Sequence, residues 1–252
     1  CAPLDAAIGP SADEVCFDEK DNDCDGATDT DPECLYVSCK TLLAANAGLG
    51  DGKYTLDIDG EGGTEPFEAW CDMANGGWTL VLKATGAATL KYGSAYWTDT
   101  NLLAADSLNA DAGDAKLTAF IHVKVTTMRG CLDGHCYTKT FDGTKSSREI
   151  FSGAAAVVSG HPGFGSSSKW STQPNCKHFG INTPYNYNAT RFGYTANQEN
   201  NCSSNDTAIG FGLGPKGSSS PTYNKGAGYM CISSNCNKGN VDTGGNGFLW
   251  VQ

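Results

Sequence analysis

An acidic stretch near the start of the chain, residues 18–33, most constrains how this protein can fold. Its sequence is DEKDNDCDGATDTDPE, in which Asp21, Asp23, Asp25 and Asp29 occupy positions 1, 3, 5 and 9 of one short loop. These carboxylates repel one another at short range, and the stretch has too few apolar residues to hold itself together. We therefore consider two alternatives, a loop folded around a bound cation and a solvated acidic linker.

The spacing of the carboxylates favours calcium. A hard dication takes about six to eight oxygen ligands, which alternate residues of a curled loop can point inward. Gly26 suits the sharp turn after the third carboxylate. Position 12 is Pro32 rather than a bidentate glutamate, so Asp31 or Glu33 must supply the last oxygens. The pattern predicts a Ca²⁺ site made by Asp21, Asp23, Asp25, the carbonyl of Ala27, Asp29 and Glu33.

Residues 14–34 resemble the calcium loops of thrombospondin type 3 repeats and a bacterial surface-protein repeat of the form C-D-x-x-D-N-D-C-D-G-x-x-D. The string DNDCDG is the specific part of this likeness. The apolar helices that flank an EF-hand loop are missing. The resemblance implies a calcium-binding segment in a bacterial surface or secreted protein.

Charge divides the chain into two parts. Residues 1–34 contain 11 acids and one base, whereas residues 35–252 contain 17 acids and 16 bases. We therefore predict an acidic calcium-binding segment at 1–34 and one larger domain at 35–252. No basic patch could follow a phosphate backbone, which argues against nucleic acid as a partner.

Twelve cysteines without a C-x-x-C pair favour disulfides over zinc, and hence a secreted or cell-surface location. Cys131 and Cys136 enclose four residues, as do Cys231 and Cys236, and either pair can close a small loop. No signal peptide and no membrane-spanning apolar run are present, which predicts a mature exported form. The pairing of the first four cysteines stays open: Cys1, Cys16, Cys24 and Cys34. For Cys1, lipidation is an alternative that we favour less than a disulfide.

Residues 38–83 predict a short helix and three strands. Ser38 can cap the helix, residues 53–56 and 67–71 alternate polar with apolar side chains, and a Gly-Gly pair leads into a strand at 78–82. Further strands are predicted at 120–126, 191–195, 209–213 and 248–251, and a helix at 147–158.

The opening of this region resembles the fibrinogen-like domain family and its sugar-binding relatives, the intelectins. The matching residues are Cys39, Asp51, Gly52, Tyr54, Pro66, Phe67, Cys71, Asp72, Met73, Gly76, Gly77, Trp78 and Thr79. The resemblance implies an α+β fold, a loop-rich fibrinogen-like domain with a central antiparallel sheet, short helices and several disulfides. It also implies a Cys39–Cys71 bridge.

Residues 191–214 hold a second candidate metal site, because Asn197, Glu199 and Asp206 offer oxygens around Cys202. The family resemblance implies calcium here, which intelectins use to hold sugar hydroxyls. However, the D-x-D string of fibrinogens and the W-W-x-x-x-C-H stretch of their ligand pocket are missing. The alternative is a polar loop closed by a disulfide between Cys202 and Cys176.

Aromatic residues near the C-terminus could bind a sugar, since sugar rings present apolar faces that aromatic side chains can bury. Tyr223 and Tyr229 lie among Gly, Asn and Ser and are the ligand-binding candidates, whereas Trp250 is predicted to be a core residue. No catalytic motif such as G-x-S-x-G or H-E-x-x-H occurs, so we do not expect an enzyme.

These observations predict a secreted or cell-surface, calcium-dependent, lectin-like carbohydrate-binding protein. Its expected partners are glycans or acetylated surface ligands. The alternative is a self-assembling extracellular filament, sheath or adhesive subunit that calcium and disulfides stabilise.

Overall fold

The computed structural model describes residues 8–16, 20–26, 28, 34–60, 63–160, 173–184, 188–203, 205–215, 224–231, 236 and 241–252. The chain forms two compact units, Cys1–Thr79 and Leu80–Gln252. The division therefore falls inside the region that the sequence assigns to the larger domain. Each unit is described separately.

The first unit contains helix α1 (Cys39–Ala45) and strands β1 (Gly52–Leu56) and β2 (Phe67–Asp72). The helix begins with a capping box: the Ser38 hydroxyl accepts from the Thr41 amide at 3.3 Å, and the Thr41 hydroxyl accepts from the Ser38 amide at 3.1 Å. Strands β1 and β2 form an antiparallel hairpin, and β2 also pairs with the start of β3 (Trp78–Ala84).

The core of the first unit forms around the Cys39–Cys71 disulfide, where Leu42, Leu56 and Met73 are also buried. Gly77 allows the chain to pass close to the helix, because a Cβ atom there would lie 2.7 Å from the Cys39 carbonyl oxygen. Its φ of +74° is also one that favours glycine. The Gly-Gly-Trp sequence thus serves backbone packing in this unit.

The second unit contains two sets of antiparallel strands. The strand bounds are β4 Ala115–Lys116, β5 Thr127–Leu132, β6 His135–Thr140, β7 Ala156–Ser159, β8 Asn175–Ile181, β9 Phe192–Asn197, β10 Thr207–Leu213, β11 Lys225–Cys231, β12 Val241–Gly244 and β13 Gly247–Val251. In the first set, β3 pairs with β4, and the strand order is β3-β13-β5-β6. The other strands form a six-stranded sheet in the order β12-β11-β10-β9-β8-β7.

Three short helical segments accompany these sheets: a 3-10 helix at Ala95–Trp97, α2 at Thr118–His122 and α3 at Ser147–Ser152. They meet through aromatic rings, with the Trp97 and Phe151 ring centroids 4.8 Å apart and those of Phe120 and Phe151 5.7 Å apart. The indole nitrogen of Trp97 donates to the carbonyls of Leu90 and Lys91. Burial of these rings contributes much of the packing among the helices.

The predicted α+β, fibrinogen-like fold is wrong, because the described residues form mainly two antiparallel sheets with only short helices. Segment 120–126 alternates like a strand, yet it begins inside α2, where burial of Phe120 against Trp97 overrides the local pattern. The helix predicted at 147–158 ends at Ser152 and is followed by strand β7, whose residues pair with β8. The strands predicted at 191–195, 209–213 and 248–251 correspond to β9, β10 and β13.

Within the described residues, no helix has the length and apolar character needed to cross a membrane.

Candidate metal centre

Three carboxylates converge in the first unit, from Glu14, Asp21 and Asp23. One oxygen of each lies within 4.8 Å of the others, and no other group of three or more His, Cys, Asp or Glu side chains converges in this way within the described ranges. Glu14 is buried, with 9% of its surface exposed, and the two aspartates are half-buried. We call these three residues the carboxylate cluster.

Backbone hydrogen bonds place Glu14 in the cluster, although it lies seven residues before Asp21. Its Oε2 atom accepts from the amides of Asn22 at 2.8 Å and Asp23 at 3.3 Å. In return, the Asn22 side-chain oxygen accepts from the Val15 amide at 3.1 Å. The chain therefore doubles back on itself and brings the earlier glutamate beside the aspartates.

The aspartates are positioned by a tight turn. Asp21 Oδ2 accepts from the Gly26 amide at 3.2 Å, and Asp23 Oδ1 accepts from the Asp25 amide at 3.1 Å. Cys24 and Gly26 both have positive φ, +66° and +100°. This left-handed backbone, which glycine tolerates best, curls the loop so that Asp21 and Asp23 face the same space as Glu14.

One oxygen of the cluster lacks a partner: Asp21 Oδ1 is buried and accepts no hydrogen bond from any residue that the structure describes. Leaving a buried polar atom unsatisfied costs about 1–3 kcal/mol, and more when the group is charged. At this separation two carboxylates also repel by roughly 1 kcal/mol in water and roughly 3–4 kcal/mol at a protein surface. A cation at the centre of the cluster would remove both penalties, so the residues fit a bound metal.

The structure brings together only part of the predicted ligand set. Asp21 and Asp23 are in the carboxylate cluster, whereas Asp25 is exposed and contributes its backbone amide to the turn. Three predicted ligands lie outside the described residues: Ala27, Asp29 and Glu33.

Sequence reasoning missed Glu14, because it considered only the ladder that starts at Asp21. The signal that could have revealed it is its place at the first position of the repeat-like region 14–34, just before the cysteine that closes the loop.

A disulfide between Cys16 and Cys34 closes this region, with 18 residues of sequence separation. Cys24 is also disulfide-bonded, and none of the described cysteines is free. The other bridges among the described cysteines are Cys39–Cys71, which the family resemblance implies, Cys131–Cys136 and Cys231–Cys236, which close small loops, and Cys176–Cys202, which belongs to the alternative to a second metal site.

The second candidate metal site does not form a comparable cluster in the described residues. Both polar groups of Asn197 are used locally, since its Nδ2 donates to the Asn201 carbonyl at 2.8 Å and its Oδ1 accepts from the Gln198 amide at 2.8 Å. Glu199 is exposed, and neither it nor Asp206 belongs to a converging group of three His, Cys, Asp or Glu side chains. The arrangement is that of a polar loop fixed by a disulfide.

The aromatic candidates do not form a sugar-binding surface in the described residues. Tyr229 on β11 is buried, with 4% of its surface exposed, and Tyr223 lies outside the described residues. Trp250 on β13 is 5% exposed, and the Arg129 guanidinium lies 5.3 Å from its ring centroid. Trp250 is thus a core residue, as predicted.

Residues 1–30 match a metal-binding family. The matching model is Cu-binding MopE, described as "Putative metal-binding motif", and the match includes all three members of the carboxylate cluster. It does not extend to residues 38–83, and no fibrinogen-like domain is shown. No curated protein matches the chain. The motif and the disulfides together indicate an extracellular metal-binding protein, without identifying the metal.

Proposed function

We propose that the first unit binds Ca²⁺ through Glu14, Asp21 and Asp23, and that the ion stabilises the acidic loop of an extracellular protein. The observation that carries this proposal is the buried Asp21 Oδ1 atom, which has no hydrogen-bond partner among the described residues and belongs to a carboxylate that converges with two more. Backbone carbonyls and water would complete a shell of about six to eight oxygens.

Donor chemistry supports calcium over copper, although the name of the matching family mentions copper. Copper sites are built mainly from imidazole, thiolate and thioether ligands, whereas carboxylates suit calcium, magnesium and manganese. Residues 1–34 contain no histidine or methionine. The described cysteines of this segment, Cys16, Cys24 and Cys34, are in disulfides and cannot act as thiolates.

Calorimetric titration of the full chain with Ca²⁺, Mg²⁺ and Cu²⁺, after treatment with a chelator, tests the proposal. We expect Ca²⁺ to bind and to raise the melting temperature, and we expect Glu14→Gln to weaken Ca²⁺ binding by about tenfold or more, because a buried ligand charge is lost. Asp13→Asn is the matched control, since this neighbouring acid is exposed and outside the cluster. Binding of Cu²⁺ alone, or equal affinities for both variants, would contradict the proposal.

We also propose that the second unit binds glycans or acetylated surface ligands without catalysing a reaction. The observation that favours this function is an open cavity of about 510 Å³ beside the Cys176–Cys202 disulfide. Its volume is in the range of about 300–1,000 Å³ that is typical of small-ligand sites. A glycan array with and without chelator tests both the binding and its dependence on calcium. Failure of every glycan and acetylated compound to bind would reject this function.

A further inference from the structure

The cavity beside the second-unit disulfide is assembled from three parts of the six-stranded sheet. Ser159 ends β7 and Gly160 follows it, Pro174 precedes β8 and residues 175–178 begin it, and Cys202 follows β9. The Gly160 amide donates to the Lys177 carbonyl at 2.8 Å, which joins the first two parts. The Cys176–Cys202 disulfide joins the second part to the third.

An irregular backbone lines this cavity. Pairing between β8 and β9 shifts register between Asn175 and His178, and Cys176 has a φ of +51°, which is uncommon for a residue with a side chain. In a regular strand, consecutive side chains point to opposite faces, whereas a bulge redirects them. Outliers of this kind persist where surrounding contacts hold them, and they occur often at ligand sites.

Local contacts hold the irregularity in place. A ring nitrogen of His178, Nδ1, lies 3.0 Å from the Cys176 carbonyl oxygen, and the Asn175 side chain donates to the Gln198 carbonyl at 2.7 Å. Together with the disulfide, these contacts fix the residues on both sides of Lys177. The lining is therefore organised before any ligand arrives, which reduces the entropy lost on binding.

The charge of the lining differs from that of the whole protein, whose net charge is −11. Lys177 and His178 are adjacent in the cavity wall, and both are half-buried. The nearby Glu199 carboxylate accepts from the Gln198 side chain at 3.3 Å. An ammonium group and an imidazole at an open cavity suit a ligand that carries an anionic group.

We infer that this cavity binds the carboxylate of an acidic saccharide, with Lys177 as its ionic partner and His178 beside it. The inference rests on the glycan-binding function proposed for the second unit and names the class of glycan. Pre-organised donors and a positive side chain would distinguish a uronic-acid unit from its neutral counterpart.

The test is titration of the full chain with an oligogalacturonate and with the matching neutral oligogalactose, followed by calorimetry. We expect the acidic oligomer to bind at least about fivefold more tightly, and Lys177→Gln to remove that preference, whereas Lys177→Arg retains it. Lys91→Gln, which removes an exposed lysine of the same unit outside the cavity, is the matched control. Far-UV circular dichroism checks that each variant is folded.

The possible outcomes separate this inference from the function on which it rests. Equal affinity for the acidic and neutral oligomers, unaffected by Lys177→Gln, overturns the acidic-saccharide site but leaves glycan binding intact. An acidic preference that Lys91→Gln reduces as much as Lys177→Gln reflects general charge and also overturns the site. Binding of neither oligomer, together with a glycan array on which nothing binds, rejects both.

Discussion

The two units each contain a ladder of oxygen-bearing side chains, but they balance its charge differently. In the first unit, Asp21 and Asp23 alternate along the chain and converge with Glu14. In the second unit, the alternating ladder is Ser107, Asn109 and Asp111, and the Lys83 ammonium lies at its centre. The three oxygens lie 2.6, 2.8 and 2.6 Å from Lys83 Nζ.

Lys83 thus supplies internally the positive charge that, in our proposal, Ca²⁺ supplies to the carboxylate cluster. Its side chain is fully buried, and its hydrogen bond lowers the pKa of the Asp111 carboxyl group. Lys116 repeats the arrangement with the Asp99 carboxylate at 3.1 Å, and burial lowers the pKa of Lys116. Alternating oxygen-bearing side chains therefore indicate a cation in their neighbourhood, but the spacing alone does not distinguish a metal ion from an ammonium group such as that of Lys83.

The largest effect should come from opening the loop that holds the carboxylate cluster. Replacing Cys16 and Cys34 together by Ser removes a bridge with 18 residues of separation, and we expect the unfolding free energy to fall by about 3 kcal/mol. Calcium affinity should fall as well, because Glu14 is no longer held beside the aspartates. Denaturant unfolding and calcium titration measure the two effects.

The control for that variant is the double replacement of Cys131 and Cys136, which are cross-strand partners in the β5–β6 hairpin with a separation of 5 residues. The short loop predicts a smaller loss of stability, and calcium affinity should not change. If the Cys16 and Cys34 variant binds calcium as well as the unmodified protein does, the cluster does not depend on loop closure.

A somewhat smaller effect is expected when the internal cation is removed. Lys83→Met keeps the buried chain length but loses three hydrogen bonds to a charged group, which should lower the unfolding free energy by about 2 kcal/mol. Chelator should leave the unmodified ladder at 107–111 unaffected, because Lys83 already occupies it. Lys91→Met is the control at an exposed lysine. Equal stability of the two variants in urea unfolding would refute the structural role of the ammonium group.

Sequence reasoning recovered the local parts of this molecule better than the parts that long-range contacts decide. The Ser38 cap and the strands on either side of residues 57–66 follow from local patterns, and the structure contains them. The alternation of Asp21 and Asp23 likewise predicted a metal-binding segment, which the family match supports. The fibrinogen-like fold predicted from residues 38–83 was wrong, because a short helix followed by a hairpin is compatible with more than one fold.

The spacing of residues within a motif does not predict which residues from other parts of the chain will join the site. Glu14 joins the aspartates only because the backbone doubles back, and Lys83 meets its ladder across 24 to 28 residues. The helix at 118–122 replaced a predicted strand for the same reason, because its aromatic side chain packs against residues far along the chain. Such contacts leave no periodic signal in the local sequence.

Two substitutions distinguish the aspartates that belong to the carboxylate cluster from those that do not. Asp21→Asn removes one negative charge from the carboxylate that contains the buried Oδ1 atom, so calcium affinity should fall about tenfold, or about 1.4 kcal/mol. Asp25→Asn removes the same charge from an exposed side chain outside the cluster, and its effect should stay within about twofold. Calcium titration at moderate ionic strength compares them. Equal losses would mean that the ion is held by the predicted ladder rather than by the cluster.

The smallest expected effect on stability concerns the exposed ion pair between Lys124 and Glu149 in the second unit. Glu149 accepts from the Ser146 amide at 2.7 Å and from Lys124 Nζ at 3.0 Å, and these bonds lower the pKa of its carboxyl group to about 2. Because the folded-state pKa lies below the ordinary value, the contribution of Glu149 is present above about pH 4.5 and is lost as pH falls toward 2.

Glu149→Gln should therefore reduce the loss of stability between pH 5 and pH 2.5 relative to the unmodified protein, by less than about 1 kcal/mol because the pair is solvent-screened. Urea unfolding at the two pH values measures this difference, and Lys124→Gln should reproduce part of it. If the two proteins lose stability equally, Glu149 has the same pKa in the folded and unfolded chain, and its pairing does not stabilise α3. In that case the exposed Lys124–Glu149 pair would contribute nothing to stability, whereas the buried Lys83 ammonium group would stabilise the fold through hydrogen bonds from which water is excluded.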